Sequence, residues 1–206
     1  MEFGIYAVIT LTLLYISLAF IKHVDDENGL PDKPSIKFLI IATIMGGLSM
    51  YFENAYLMVV FCAFIFIEAY TDYYTMQLYL IFSLIVSLGY GYMILAGKIS
   101  LDIFIDICIF LFLIVISRIV KVINTGDVWM MITLIPYILN IFNFCDGLIV
   151  LLSFYLFSLV LGIVINAKDI LCNKKKYIPF AVPVCLGYCL ICIYKLIERS
   201  IASVYI

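Results

Sequence analysis

The sequence predicts an all-α membrane protein, a polytopic transmembrane helical bundle of about eight spans (six to eight), with residues 1–206 forming one membrane-embedded domain. Composition points there first: of 206 residues, 67% are hydrophobic and only 13% charged, and the mean hydropathy is +1.22, so most of the chain has lipid as its solvent. Long uncharged runs point the same way. Phe3 to Ile21, Met76 to Ala96 and Gly147 to Ala167 each supply the roughly 20 residues that a helix needs to cross a ~30 Å hydrocarbon layer. Too little polar sequence remains to build a soluble domain.

Taken in order, the apolar stretches place spans at residues 3–21, 37–52, 54–71, 76–96, 103–121, 128–144, 147–166 and 178–196. The first begins with Met1-Glu2 instead of a basic n-region and no Ala-x-Ala follows it, so it is expected to be a retained span and not a removed signal. His23 to Ser35, with Asp25, Asp26, Glu27, Asp32, Pro31 and Pro34, reads as a short solvated connector. The second stretch is short and contains Gly46-Gly47, which marks it as a candidate for a broken or thin span.

Basic residues set the orientation, because Lys and Arg near span ends stay on the cytoplasmic side far more often than they cross. With the N-terminus outside, Lys22, Lys33, Lys37, Arg118, Lys121, Lys168, Lys174, Lys175 and Lys176 all fall inside, and only Lys98, Lys195 and Arg199 fall outside. The expected location is the cytoplasmic membrane, multi-pass.

Cysteine and histidine offer little chemistry. The chain has seven cysteines and one histidine. Cys189 and Cys192 form a Cys-x-x-Cys, but they lie inside a span with Cys185 one turn earlier and no histidine nearby, so they read as small apolar residues. No metal and no cofactor is expected, and nothing in the composition points to nucleic acid.

The carboxylates are more informative, because ionisable groups at membrane depth are costly and therefore functional candidates. Glu53, Asp102, Asp106 and Asp146 fall at the outer side of the expected topology, as helix-end groups, whereas Glu68, Asp72 and Asp127 cluster at the inner side. Asp72 follows the third span and Asp127 precedes the sixth. Two spans separate them, and an even number of crossings returns the chain to the side it left, so both carboxyls are expected at one face. Tyr70, Tyr73 and Tyr74 read as interfacial aromatics around a shallow Asp72. Gly126 permits a tight turn or a close helix approach just before Asp127, and Asp127 also suits a helix N-cap.

Three stretches carry a family resemblance. Asp72-Tyr73-Tyr74-Thr75-Met76, Gly126-Asp127, and Pro179-Phe180-Ala181-Val182-Pro183 after a basic loop resemble, in order and spacing, the motifs of the type IV prepilin peptidases, a family of GxGD-type membrane aspartic proteases. Asn124 stands in place of the first glycine of Gly-x-Gly-Asp, Trp129 where a lysine is usual, Tyr79 where a proline is frequent, and Val182 adds a residue between the prolines. The loop between the first two spans holds no cysteine, so the resemblance is to a minimal form without the zinc-binding region, and N-methylation of the product is not expected.

The resemblance implies an aspartic endopeptidase with Asp72 and Asp127 as the catalytic pair and Gly126, Thr75, Glu68, Pro179 and Phe180 as supporting residues. Two close carboxyls do not ionise together readily, so one holds a proton while the other activates water. Glu68 lies one turn before Asp72 on the same face, either tuning that pair or facing a polar cleft. The implied partner is a prepilin-like precursor whose short basic leader is removed at the cytoplasmic face. Two alternatives rest on other residues: a small transporter or proton pathway using the membrane carboxylates, Asp106 above all, and a cysteine endopeptidase built on His23 and Cys172.

Overall fold

A computed structural model describes residues 2–24, 29–31, 33–75, 80–120, 122–171 and 180–202, with the side chains of 80, 86, 168–171 and 202 set aside. Every regular element among them is helical: α1 (Glu2–Val24), α2 (Ile36–Leu48) running into a 3-10 turn (Ser49–Tyr51), α3 (Ala55–Thr75), α4 (Leu80–Val86), α5 (Leu88–Leu95), α6 (Leu101–Ile119), α7 (Thr125–Ile141), α8 (Gly147–Leu171) and α9 (Ala181–Ala202). Four stretches, Glu2–Val24, Ala55–Thr75, Gly147–Ala167 and Ala181–Ile201, are long and apolar enough to cross a membrane. This is a membrane protein. Ile36–Tyr51, Ile81–Leu95 and Thr125–Ile141 are shorter apolar helices, and α6 is set apart by Asp102, Asp106 and Arg118 along its length.

Three helices meet at an aromatic centre. Phe61 of α3 stacks on Tyr137 of α7 with ring centroids 4.0 Å apart and meets Tyr188 of α9 edge-on at 4.8 Å, and all three side chains are buried. α3 is the most enclosed of the long helices, with 78% of its apolar window buried against 28–44% for the other three. The remaining helices pack around this trio. α1 and α2 lie on α3, α4 and α5 lean on α7, and α6 and α8 close the far side.

The second helix shows why its sequence is short on bulk. Gly46-Gly47 does not break α2, which is helical from Ile36 to Leu48. A Cβ at Gly46 would sit 1.9 Å from the Thr10 hydroxyl, and one at Gly47 would sit 2.5 Å from the Phe3 ring. The glycines bring the α1 and α2 backbones together, as small residues do between helices in lipid.

The expected span at 76–96 is two helices, α4 and α5, meeting at Ser87, whose hydroxyl donates to Leu84 O at 2.6 Å. The break serves α7. Pro136 lies inside α7, and lacking an N–H it leaves the carbonyl of Ile132, one turn earlier, without its helical donor. The Tyr90 hydroxyl of α5 donates to that carbonyl. Gly89 allows the approach, since a Cβ there would meet the Tyr137 ring at 2.9 Å and Pro136 at 3.0 Å. Tyr90→Phe is therefore expected to lower thermal stability in detergent by about 1–3 kcal/mol, and the double variant with Pro136→Ala, whose amide supplies the missing donor, is expected to recover most of the loss; equal losses in the two backgrounds would contradict this coupling.

Candidate active site

Helix direction brings Asp72 and Asp127 together. Asp72 lies about three turns beyond Phe61 towards the end of α3, and Asp127 about three turns before Tyr137 at the start of α7, roughly 15–17 Å in each case. Phe61 and Tyr137 are stacked and the Asp127 charge acts on Asp72, so α3 and α7 run in opposite directions and both aspartates stand at one end of the bundle. Ala181, about two turns before Tyr188, brings the start of α9 to the same end.

At that end each carboxylate is fixed by a backbone amide. Asp72 Oδ2 accepts from the Ala181 N–H at 2.8 Å, with the Phe180 amide beside it. Asp72 thus caps α9 from another helix, where the free amides and the helix dipole favour negative charge. Asp127 Oδ2 accepts from the Asn124 N–H at 2.8 Å, as the returning half of a capping box whose N-cap is Asn124. Both aspartates are buried at 6% exposure, and the Asp127 charge acts on the Asp72 carboxyl. Among the described residues, the Phe180 and Ala181 amides are the donors to Asp72 and the Asn124 amide is the donor to Asp127.

Glu68 is a third buried carboxyl, 4% exposed, one turn below Asp72 on the same helix. Its Oε1 accepts from the Ser83 hydroxyl of α4 at 2.8 Å, and it interacts electrostatically with Asp72. No cation pairs with any of the three among the described residues. Arg118, the described cation nearest in sequence to the start of α7, donates to the Thr125 hydroxyl at 2.9 Å.

The other expected site residues divide. Phe180 is buried immediately before α9, beside Asp72. Thr75 ends α3 and its hydroxyl donates to Thr71 O at 2.7 Å, within its own helix. Gly126 is in the first turn of α7 and is not among the positive-φ glycines, so it makes no tight turn. Pro179 lies outside the described residues, as do Cys172, Met76, Tyr79, the acidic residues 25–27 and 32, and the lysines at 121 and 174–176. Tyr73 and Tyr74 are exposed as interfacial aromatics should be, but Tyr70 is buried at 5% and its hydroxyl has no hydrogen-bond partner among the described residues.

Away from this end the carboxylates have structural partners. Asp106 Oδ2 accepts from the Leu148 N–H at 3.1 Å, so Asp106 caps α8. Glu53 pairs with Lys98 at 3.1 Å while its carbonyl accepts from Asn140 Nδ2 at 2.8 Å. Cys62, Cys185, Cys189 and Cys192 are free and buried, and among the described residues no group of three or more His, Cys, Asp or Glu is arranged to hold a metal ion.

Three contributors escaped sequence reasoning. Ser83 gives no signal until α4 is laid against α3. Asn124 is a helix cap where the pattern alone offered only a missing glycine. Tyr155 on α8 is buried, and it lies within reach of the Ser117 side chain and of the Asp127 charge. No family model, no curated protein and no solved structure matches the chain.

The Ala181 amide bond to Asp72 makes the site sensitive to which residue replaces the aspartate. Asp72→Ala removes a side-chain cap on α9 and is expected to lower thermal stability by about 1 kcal/mol, whereas Asp72→Asn keeps an acceptor oxygen and is expected to lose less. Melting of the purified proteins in one detergent decides between this order and its reverse.

Proposed function

We propose that this protein is an aspartic endopeptidase of the prepilin leader peptidase type, with Asp72 and Asp127 as its catalytic pair. The observation that supports the reading is a pair of buried carboxyls at one end of the bundle, each accepting a backbone amide through Oδ2. In this reading the chain crosses the cytoplasmic membrane about eight times, α4 and α5 together forming one crossing, with the N-terminus outside and the acid pair at the cytoplasmic face. Lys22, Lys33, Lys37 and Arg118 lie towards the acid end and Lys98, Lys195 and Arg199 towards the other, which supports that orientation.

The chemistry requires one proton shared by two carboxyls. The ionised member takes a proton from a water held between the Oδ1 atoms as the water attacks the peptide carbonyl. The protonated member donates to the developing oxyanion and then to the leaving amine. The amide bonds to Oδ2 hold both carboxyls in place. Titration belongs to the pair and not to either residue.

The substrate is a prepilin-like precursor with a short basic leader and an apolar helix that reaches the site through the bilayer. Cleavage at the membrane boundary releases the leader and leaves a new N-terminus on the apolar segment. Thr75, Gly126, Glu68, Pro179 and Phe180 support the pair in this reading, and no metal takes part.

Co-expression with precursors from the same genome tests it. Asp72→Asn and Asp127→Asn are each expected to abolish leader removal on a gel while the protein still accumulates in membranes, and Asp106→Asn is expected to process normally because Asp106 only caps α8. Full processing by either of the first two variants would defeat the assignment.

A further inference from the structure

Glu68 is a buried ionisable group that the two-aspartate chemistry leaves without a step. It is 4% exposed and lies four residues before Asp72, on the same face of α3 and about 6 Å away along the helix axis. The two carboxyls interact electrostatically. A third carboxyl at this depth, beside two that do not ionise together readily, is costly unless a donor holds it.

The donor comes from another helix. A hydroxyl inside a helix has an acceptor at hand in the carbonyl about one turn back, and Thr71, Thr75, Ser87, Ser117 and Thr133 each donate within their own helix. Ser83 of α4 departs from this habit. It is 4% exposed, and its hydroxyl donates across to Glu68 Oε1 at 2.8 Å. A hydrogen bond given to a carboxyl oxygen supports negative charge there. Among the helices packed on α3, α4 brings no ionisable side chain, α9 brings the Cys185 thiol, which lines one cavity with Phe66 and Ala69, and α1 and α2 carry Lys22 and Lys37. Neither lysine forms an ion pair with Glu68, and the charge that acts on Glu68 is that of Asp72.

We propose that Glu68 is a positioning residue for the shared proton: bonded to Ser83 and facing the same way as Asp72, it becomes charged as the pH rises, and that charge keeps the proton on the acid pair. The proposal rests on the peptidase reading and adds to it the control of the site's protonation. The pair works only while it holds one proton between its two members. Two like charges already oppose each other when that proton leaves, and an ionised Glu68 one turn away adds a third. Glu68 acts through Asp72 and touches neither the water nor the peptide.

The pH dependence of leader removal by the full chain in lipid vesicles tests it. Glu68→Gln keeps an acceptor for Ser83 and loses the charge. It is expected to move the alkaline limb of kcat/KM to lower pH by about one unit, a tenfold change in the pair's affinity for its proton, while the acid limb stays in place. Ser83→Ala keeps the carboxyl and removes its donor, and is expected to move the same limb in the same direction by less. A residue that only ordered the fold would lower the melting temperature and the rate at every pH without moving either limb. Should both variants cut the precursor with the alkaline limb of wild type, the role of Glu68 is overturned and the peptidase reading stands. Should wild type cut no precursor at any pH, the peptidase reading falls and this role with it.

Discussion

The bond from the Ala181 amide to the Asp72 carboxylate is the contact on which the rest of the arrangement depends. A carboxyl at 6% exposure in the most enclosed helix of a membrane protein is costly unless donors surround it. The start of α9 supplies them, because the first amides of a helix have no partners within it. One bond therefore serves two needs. It gives Asp72 a donor and α9 a cap, and it ties the end of α3 to the start of α9, beside the start of α7, where Asp127 closes the capping box begun by Asn124. The aromatic contact of Phe61, Tyr137 and Tyr188 sets the register of the three helices some turns away, so the carboxyls converge without being bonded to one another.

The same packing explains where the structure is irregular. α7 contains a proline, and its unpaired carbonyl is repaired by a tyrosine from a neighbouring helix, which requires the α4–α5 break and Gly89. Backbone groups in lipid have no water to fall back on, so such repairs are built from the protein itself. Irregularity is confined to the ends of the bundle otherwise: Asn54, Asn143, Phe144 and Asp146 have positive φ, and all lie at the end away from the acid pair, near the Glu53–Lys98 ion pair and the cations resting on Phe142, Phe144 and Phe52.

Much of this was legible in the sequence, for reasons that can be named. Apolar runs about 20 residues long admit one regular structure in lipid, so the helices at 2–24, 55–75, 147–171 and 181–202 follow from hydropathy alone. Counting two apolar stretches between Asp72 and Asp127 placed both at one end without knowledge of any contact. What the sequence withheld was whatever depends on rotation about helix axes. Tyr70 belongs to a run of tyrosines that reads as an interfacial anchor, yet it faces inwards while Tyr73 and Tyr74 face out. Gly46-Gly47 resembles a helix break because glycine has two uses, and only the position of Thr10 and Phe3 reveals that close approach is the one in force. Asn124 likewise has two meanings, a lost glycine in a motif or a cap on a helix, and the second became visible once α7 was seen to begin at Thr125.

The central claim is that residues 72 and 127 share one face of the membrane. Distance measurement between paired spin labels at Tyr73→Cys and Trp129→Cys, two exposed neighbours of the aspartates, in a chain whose native cysteines are replaced by alanine and reconstituted in bilayers, tests it most directly. A single short distance, well under the roughly 30 Å thickness of the hydrocarbon layer, is the result that a shared acid site requires. A distance equal to or beyond that thickness would place the two carboxyls on opposite faces and contradict the account.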